Sequence, residues 1–242
     1  MASATPVPLS SAGKGGPQSG SGEGQAPHDP ETSLPSSASH PRGPLPRGAE
    51  RVSRSAVVKI GGSLVADRAR LRAILSDCVD NAPVAVVPGG GPFADAVRTA
   101  QSALGFDDAL AHRLALDAMG RMAEVFSALE GRLTIAASPD AVAEALAQGR
   151  SVIWDPAALK VGHPDIAESW EVTSDSLALW LAGVLGAERC ILVKSANIPP
   201  WTDPATLART GLVDAAFPRF AAAYPGAIVI RGPEPHRERP AA

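Results

Sequence analysis

The sequence predicts an α/β protein, a three-layer αβα sandwich in which a mostly parallel sheet lies between two layers of helices. Short apolar segments alternate with segments of helical periodicity from residue 54 onward. The apolar segments hold almost no polar residues, which is typical of parallel strands that helices cover on both faces. Glycine clusters follow the first two of these segments, and ligands of such sheets bind beyond the carboxyl ends of the strands.

The spacing of apolar residues predicts each element in turn. The first strand is Ala56–Ile60, and leucine, isoleucine, cysteine and valine at helical spacing predict a helix over 67–81. Later strands are predicted over 83–88, 133–136, 151–154, 189–193 and 227–230. Later helices are predicted over about 91–104, 108–130, 140–148 and 175–185.

The first 53 residues differ in composition from the rest of the chain. Of the first 50 residues, 26 are Gly, Pro or Ser, and none is Phe, Trp or Tyr. Such a stretch cannot bury enough apolar surface to offset the entropy lost on ordering. We therefore predict a disordered tail over 1–53, a folded domain over 54–235 and a flexible C-terminus over 236–242.

The composition argues against several classes of function. The formal net charge is −3, without the basic excess of a nucleic-acid binder. No apolar run approaches the roughly 18 residues that span a bilayer, so we expect no membrane segment. Two cysteines cannot form a disulfide framework or a cysteine-rich zinc site. We expect a cytoplasmic protein with a small-molecule substrate and no protein-bound metal.

Two of the four lysines stand at the ends of predicted strands. Lys59 lies inside the first strand and Lys194 follows the fifth, whereas the chain has 18 arginines. An unpaired ammonium in apolar surroundings is costly, so each needs an anion or a carboxylate partner. Asp175 opens a predicted helix, where Thr173 or Ser174 can act as the N-cap. Ordinary capping explains Asp175 equally well, but together these residues predict a convergent charged site.

Two glycine clusters predict a phosphate-binding region. Gly61-Gly62 follows the first strand and Gly89-Gly90-Gly91 the second, and glycines let backbone N–H groups approach an anion closely. Residues 89–94 also fit the dinucleotide pattern G-x-G-x-x-A, so a nicotinamide enzyme remains an alternative. The acidic residue expected at the end of the next strand is missing, because a long helix follows. The chain has no Walker sequence.

These motifs, in this order and spacing, resemble the amino acid kinase superfamily, which includes the aspartate, glutamate, acetylglutamate and uridylate kinases. The resemblance covers residues 55–232. It implies an amino acid kinase-like αβα fold that transfers the γ-phosphoryl group of ATP with Mg²⁺, and a homo-oligomeric assembly. Lys59 and Lys194 would neutralise the transferring phosphoryl group, and Asp175 would orient both lysines.

The resemblance also implies binding roles for residues around the three catalytic candidates. Phosphate and acceptor would contact Gly61, Gly62, Ser63, Gly89, Gly90, Gly91, His112, Thr173 and Ser174. The nucleotide would contact Lys194, Ser195 and Asn197. Where nucleotide-handling relatives usually carry Asp-Gly, this chain has Ile198-Pro199-Pro200-Trp201.

Within the superfamily, the chain is most similar to the short kinases of methanofuran-type cofactor biosynthesis. The similarity lies in His112, Met119-Gly120, Trp170, residues 211–214 and Phe217. It implies 5-(aminomethyl)-3-furanmethanol phosphate as the acceptor. A uridylate- or acylphosphate-forming kinase, a non-catalytic molybdate- or tungstate-binding relative and the nicotinamide enzyme stay open as alternatives.

The predicted topology determines at which edge of the sheet each of the three charged residues lies. Lys59 ends the first strand and Lys194 the fifth, so both lie at the carboxyl edge of a parallel sheet. We expect a helix that precedes a strand to begin at the opposite edge. Asp175 then reaches the lysines only if the loop over 156–172 carries the chain back, or if the fifth strand is antiparallel. We predict that its carboxylate lies within one hydrogen-bonded or water-bridged step of both ammonium groups.

Overall fold

The computed structural model describes residues 55–81, 83–198 and 203–233. Within these ranges the chain forms one six-stranded sheet with the strand order β3-β4-β2-β1-β5-β6, and every pairing is parallel. The strands are β1 Ala56–Ile60, β2 Val84–Pro88, β3 Thr134–Ala136, β4 Val152–Trp154, β5 Arg189–Val193 and β6 Ala227–Arg231. The predicted fold class is confirmed.

Helices connect the strands and cover both faces of the sheet. The α-helices of the described residues are α1 Arg68–Asp80, α2 Gly91–Leu104, α3 Asp108–Leu129, α4 Pro139–Ala147, α5 Ser174–Leu185, α6 Pro204–Arg209 and α7 Phe217–Ala223. Two 3₁₀ segments, Gly62–Ala66 and Pro156–Val161, follow β1 and β4. The five longer helices lie within two residues of their predicted bounds. The two 3₁₀ segments, α6 and α7 were not predicted.

Alternation along the strands decides which side chains face which helix layer. Val57 and Leu192 belong to an apolar cluster that includes residues of α4, α5 and α7. Val58 and Ile191 point to the opposite face, in a cluster with residues of α1 and the second half of α3. Because side chains alternate along a strand, Lys59 shares the face of Val57 and points toward the layer that contains α5.

The path between β4 and β5 corrects one of our sequence-based expectations. Both strands run parallel to β2 and β1, so the chain leaves β4 at the carboxyl edge and enters β5 at the amino edge. Helix α5 makes this return, and its 12 residues rise by about 18 Å. Its first residues therefore lie at the carboxyl edge by default. The expected start at the opposite edge was wrong, and neither a special loop path nor an antiparallel fifth strand is needed.

Some predictions fall on residues that the structure does not describe. The tail over 1–53, the C-terminus over 236–242 and the residues 199–201 of the Ile198–Trp201 departure lie outside the described ranges. Within those ranges, none of the helices combines the length and the apolar character that crossing a membrane requires.

Candidate active site

Asp175 bridges the two strand-end lysines at the carboxyl edge of the sheet. Its Oδ1 atom lies 2.9 Å from Nζ of Lys59, and its Oδ2 atom accepts a hydrogen bond of 2.6 Å from Nζ of Lys194. The side chains of Lys59, Asp175 and Lys194 are 6%, 7% and 12% exposed. The predicted geometry is confirmed, with direct contacts rather than a water bridge.

The electrostatics of this cluster follow from its burial and its excess cation. Burial raises the pKa of the Asp175 carboxyl, but the attraction of Lys59 and Lys194 outweighs it and holds that pKa below its usual range. Burial, together with repulsion from Lys59, lowers the pKa of Lys194 to about 8. Near neutral pH two ammonium groups therefore face one carboxylate. The surplus positive charge suits a bound anion.

The two glycine loops contact each other through their backbones. A Cβ atom on Gly62 would lie 2.3 Å from the backbone nitrogen of Gly91, and one on Gly89 would lie 2.6 Å from the nitrogen of Gly62. Gly91 also has a positive φ of 53°, which favours glycine. Side chains are therefore excluded where the loops meet. Their backbone is left free to approach a ligand, as the prediction of a phosphate cradle requires.

Helix α5 is capped by a residue from a distant part of the chain. Asp214 accepts hydrogen bonds from the backbone nitrogen and the hydroxyl of Thr173 at 3.0 and 2.9 Å. It also accepts from the backbone nitrogen of Ser176 at 3.0 Å and from the Ser176 hydroxyl. Thr173 is the N-cap, yet its side chain makes no capping bond of its own. Asp214 therefore holds the turn that carries Asp175.

The loop after β5 is fixed by contacts from three other segments. The backbone nitrogen of Lys194 donates to the carbonyl of Arg231 at 2.8 Å, and the Arg70 guanidinium donates to the carbonyl of Lys194 at 2.9 Å. The hydroxyls of Ser63 and Ser195 lie 2.7 Å apart and join the loops after β1 and β5. These contacts hold the Lys194 backbone in place beside the glycine loops.

A cavity of about 230 Å³ opens beside the glycine loops. Of the predicted binding residues, the cavity is lined by Gly62, Ser63, Gly89, Gly90, Gly91, His112, Thr173 and Ser174. Gly61 is outside this lining; its nitrogen donates to the Val193 carbonyl at 3.0 Å. Ser195 and Asn197 are exposed on the loop after β5 and are not among the lining residues. The structure thus gathers the acceptor candidates other than Gly61 around one cavity, whereas the nucleotide candidates Ser195 and Asn197 lie on the exposed loop after β5.

His112 contributes a buried imidazole to the cavity wall. Its Nδ1 atom lies 3.1 Å from the carbonyl oxygen of Ser169, and burial lowers its pKa. A neutral ring with Nδ1–H as the donor fits this contact. His112 is therefore a polar lining residue that carries no charge at neutral pH.

Several residues of this region had no predicted role. Asp95 and Arg98 line the cavity from α2, and Trp170, which entered only through the family resemblance, lines it as well. The Arg98 guanidinium lies 4.2 Å from the centre of the Trp170 ring. Asp214 was part of a family-like segment but was assigned no function. Only the G-x-G-x-x-A pattern of residues 89–94, which runs into the start of α2, could have drawn attention to Asp95, the next residue.

The residues present fit an anionic phosphoryl group better than a protein-bound metal. The lysine pair and the glycine backbones supply groups that bind phosphate oxygens. Among the described residues there is no group of three or more His, Cys, Asp and Glu side chains placed to hold a metal ion. Mg²⁺ commonly binds through substrate phosphates and water, so this site fits a magnesium ion that phosphate oxygens carry.

Comparison with known proteins finds kinases in both sequence and structure. Residues 54–136 match the amino acid kinase family. The chain is 32% identical over 139 residues to the [5-(aminomethyl)furan-3-yl]methyl phosphate kinase of Methanocaldococcus jannaschii. That alignment covers 56% of this chain and 63% of the relative, so the chain spans just under two thirds of the relative's length.

Solved structures of uridylate kinases share the fold. The enzyme from Archaeoglobus fulgidus superimposes with a TM-score of 0.54 and 16% identity, over 73% of this chain and 90% of its own. The enzyme from Bacillus anthracis superimposes with a TM-score of 0.57 and 15% identity, over 76% and 89%. At such low identity the likeness establishes the architecture alone.

Proposed function

We propose that this chain, whose residues 54–136 match the amino acid kinase family, is an ATP-dependent phosphotransferase. The resemblance inferred from the sequence is confirmed at the level of the family. The single observation that carries the activity is the Asp175 carboxylate, which holds the Lys59 and Lys194 ammonium groups together at the edge of the sheet.

The cluster supports phosphoryl transfer through charge rather than through covalent chemistry. In the proposed reaction an oxygen of the acceptor bonds to the γ-phosphorus of ATP, and the bond from that phosphorus to the bridging oxygen of ADP breaks. Lys59 and Lys194 would meet the charge on the oxygens of the transferring group, while Asp175 keeps both ammonium groups in place. Mg²⁺ would add neutralisation of the nucleotide phosphates when it is bound.

The state of Asp175 favours an acceptor that needs no general base. Both carboxylate oxygens are in contact with ammonium groups, and its lowered pKa makes it a poor proton acceptor. A phosphate dianion or a carboxylate carries no proton on the attacking oxygen, whereas an alcohol does. We therefore propose a phosphomonoester acceptor, which becomes a diphosphate.

The relative from M. jannaschii suggests which phosphomonoester this is. Its name specifies [5-(aminomethyl)furan-3-yl]methyl phosphate, a small aromatic ring with a phosphate arm and an amine arm. The cavity of about 230 Å³ has apolar walls that include Leu116 and Met119, and it opens onto the glycine loops. Such a space suits a five-membered ring with a phosphate directed at the loops. We propose this furan phosphate as the acceptor.

A direct assay tests the proposal. Purified protein is incubated with Mg-ATP and the furan phosphate, while ADP is measured enzymatically and the product by ³¹P NMR. We expect ADP and a diphosphate in equal amounts. Uridine monophosphate and acyl acceptors such as glutamate serve as competitors, and turnover of one of them in place of the furan would reassign the acceptor.

Two further binding experiments, run beside this assay, could overturn the kinase proposal. If no acceptor consumes ATP while molybdate binds in many equivalents, the protein is an oxyanion-binding relative. If NAD binds and supports hydride transfer, the nicotinamide alternative replaces it. Assembly into homo-oligomers and location in the cytoplasm stay predictions, and light scattering of the purified protein measures the first.

A further inference from the structure

The described lining of the cavity contains a single acidic side chain. Its ionisable members are Asp95, Arg98 and His112, and the remaining lining residues are glycines, apolar residues or hydroxyl residues, with Trp170. His112 is held neutral by burial. The cavity thus offers one carboxylate and one guanidinium to any charged ligand.

Asp95 and Arg98 lie on the first turns of α2, directly beyond the glycine loop. The helix begins at Gly91, and Asp95 follows four residues later, a rise of about 6 Å along the axis. The two side chains form an ion pair of 3.1 Å and are largely exposed, at 51% for Arg98 and 74% for Asp95. The carboxylate therefore stands at the exposed rim of the cavity, on the turn of α2 that follows the glycine loop.

Arg98 has a second partner that does not depend on Asp95. Its guanidinium lies over the Trp170 ring, and the Trp170 indole nitrogen donates to the Gln101 side chain at 2.6 Å. Stacking on the ring favours this position of the guanidinium even when Asp95 contacts another cation. If Asp95 pairs with a ligand cation, the half-exposed guanidinium still has the Trp170 ring and solvent as partners.

The other carboxylates near the site are already satisfied. Asp175 is in contact with two ammonium groups, and Asp214 accepts four hydrogen bonds from the start of α5. A cationic ligand would have to compete with these contacts at either residue. Among the described residues that line the cavity, only Asp95 can offer a carboxylate to a positively charged ligand.

We propose that Asp95 is a specificity-determining residue, which selects acceptors that carry a primary ammonium group remote from their phosphate. This inference rests on the proposed kinase function and deepens it. The acceptor phosphate would lie at the glycine loops and its ring in the apolar part of the cavity. Its ammonium would then reach the rim, where Asp95 exchanges Arg98 for the ligand.

Paired acceptors with and without the amine test this role. The furan phosphate with an aminomethyl group is compared with the analogue that has a methyl group in its place, using wild-type protein, Asp95→Asn and Asp95→Glu. One charge-assisted hydrogen bond at an exposed rim corresponds to about a tenfold effect on kcat/KM. We expect wild type to prefer the amine by about that factor, Asp95→Asn to lose the preference through a higher KM, and Asp95→Glu to restore part of it.

A control variant separates this role from a general loss of charge. Glu144→Gln removes an exposed acid on α4, outside the cavity lining, and should leave the preference unchanged. If wild type turns over both acceptors equally, or if Asp95→Asn lowers kcat/KM for both to the same extent, Asp95 does not recognise the ammonium group. The kinase proposal would still stand in that case. If no acceptor is phosphorylated by wild type, the proposed function and this inference are both overturned.

Discussion

The Nζ atom of Lys194 lies 2.6 Å from Oδ2 of Asp175, although Lys194 follows β5 and Asp175 opens α5. The parallel crossover explains this contact, because α5 starts at the edge where β5 ends. The same carboxylate also holds Lys59, so one acid at a helix start orients two cations from neighbouring strands.

Replacing either lysine by alanine should lower turnover by about a hundredfold or more, the scale of losing one preorganised transition-state donor. The substitution also leaves Asp175 with a single cation, so melting temperatures must be measured beside the steady-state kinetics. Lys160→Ala is the matched control, because Lys160 pairs with Asp117 on the surface, 39% exposed. Near-normal turnover by folded Lys59→Ala or Lys194→Ala would contradict the proposed role.

Activity should fall as the pH rises through about 8, where the free protein loses the Lys194 proton. The kcat/KM profile reports groups of the free enzyme, so its basic limb should have an apparent pKa near 8. The basic limb of the kcat profile should have a higher apparent pKa, because bound phosphates favour the charged form of Lys194. A kcat/KM profile that stays flat up to pH 9.5 would contradict this assignment.

The same group should affect stability in the opposite direction. The pKa of Lys194 is lowered on folding from 10.5 to about 8, so the unfolded chain binds more protons between these values. The contribution of Lys194 to the free energy of unfolding therefore rises with pH across this window. Denaturant titrations at pH 8 and pH 10 measure it, and the increase should be smaller in Lys194→Ala.

Short, almost purely apolar segments made the sheet predictable, and helical spacing of apolar residues made the main helices predictable. Val57 and Leu192 lie in strands whose apolar pattern does not also fit a helix. The strand-end positions of Lys59 and Lys194 followed directly from those strands. The position of Asp175 was predicted correctly, although the reasoning about the helix start was wrong. The correct reason is the return path of a parallel crossover, a property of topology rather than of residues near Asp175.

Other features depend on contacts that sequence spacing does not reveal. Asp214 is 38 to 41 residues from the groups that it caps, so no local motif links them. Helices α6 and α7, of six and seven residues, are too short for a helical period to emerge. Asp95 and Arg98 resemble an ordinary solvated helix pair until the fold sets them beside Trp170 and the cavity.

Gly62→Ala should disrupt the meeting of the two glycine loops. Its Cβ atom would lie 2.3 Å from the nitrogen of Gly91, so one loop must move, and we expect turnover to fall at least tenfold with a lower melting temperature. Gly183→Ala is the matched control, because a Cβ there meets nothing within 4 Å. Because Gly183 lies in the last turn of α5, that change should leave stability unchanged or raise it by less than the mid-helix value of about 0.5–1 kcal/mol, without altering turnover.

Asp214→Ala should lower kcat about tenfold or more and leave KM for ATP nearly unchanged, because it frees the turn that aims Asp175. It should also lower stability by about 0.5–2 kcal/mol, the range for losing an N-cap. Asp203→Ala removes the cap of α6, where Asp203 accepts from the nitrogen and hydroxyl of Thr206, and should lower stability while sparing kcat. If the two variants lose stability and kcat in the same proportion, Asp214 acts only as a structural cap. A kcat loss confined to Asp214→Ala, with Asp214→Asn intermediate, supports its role in positioning Asp175.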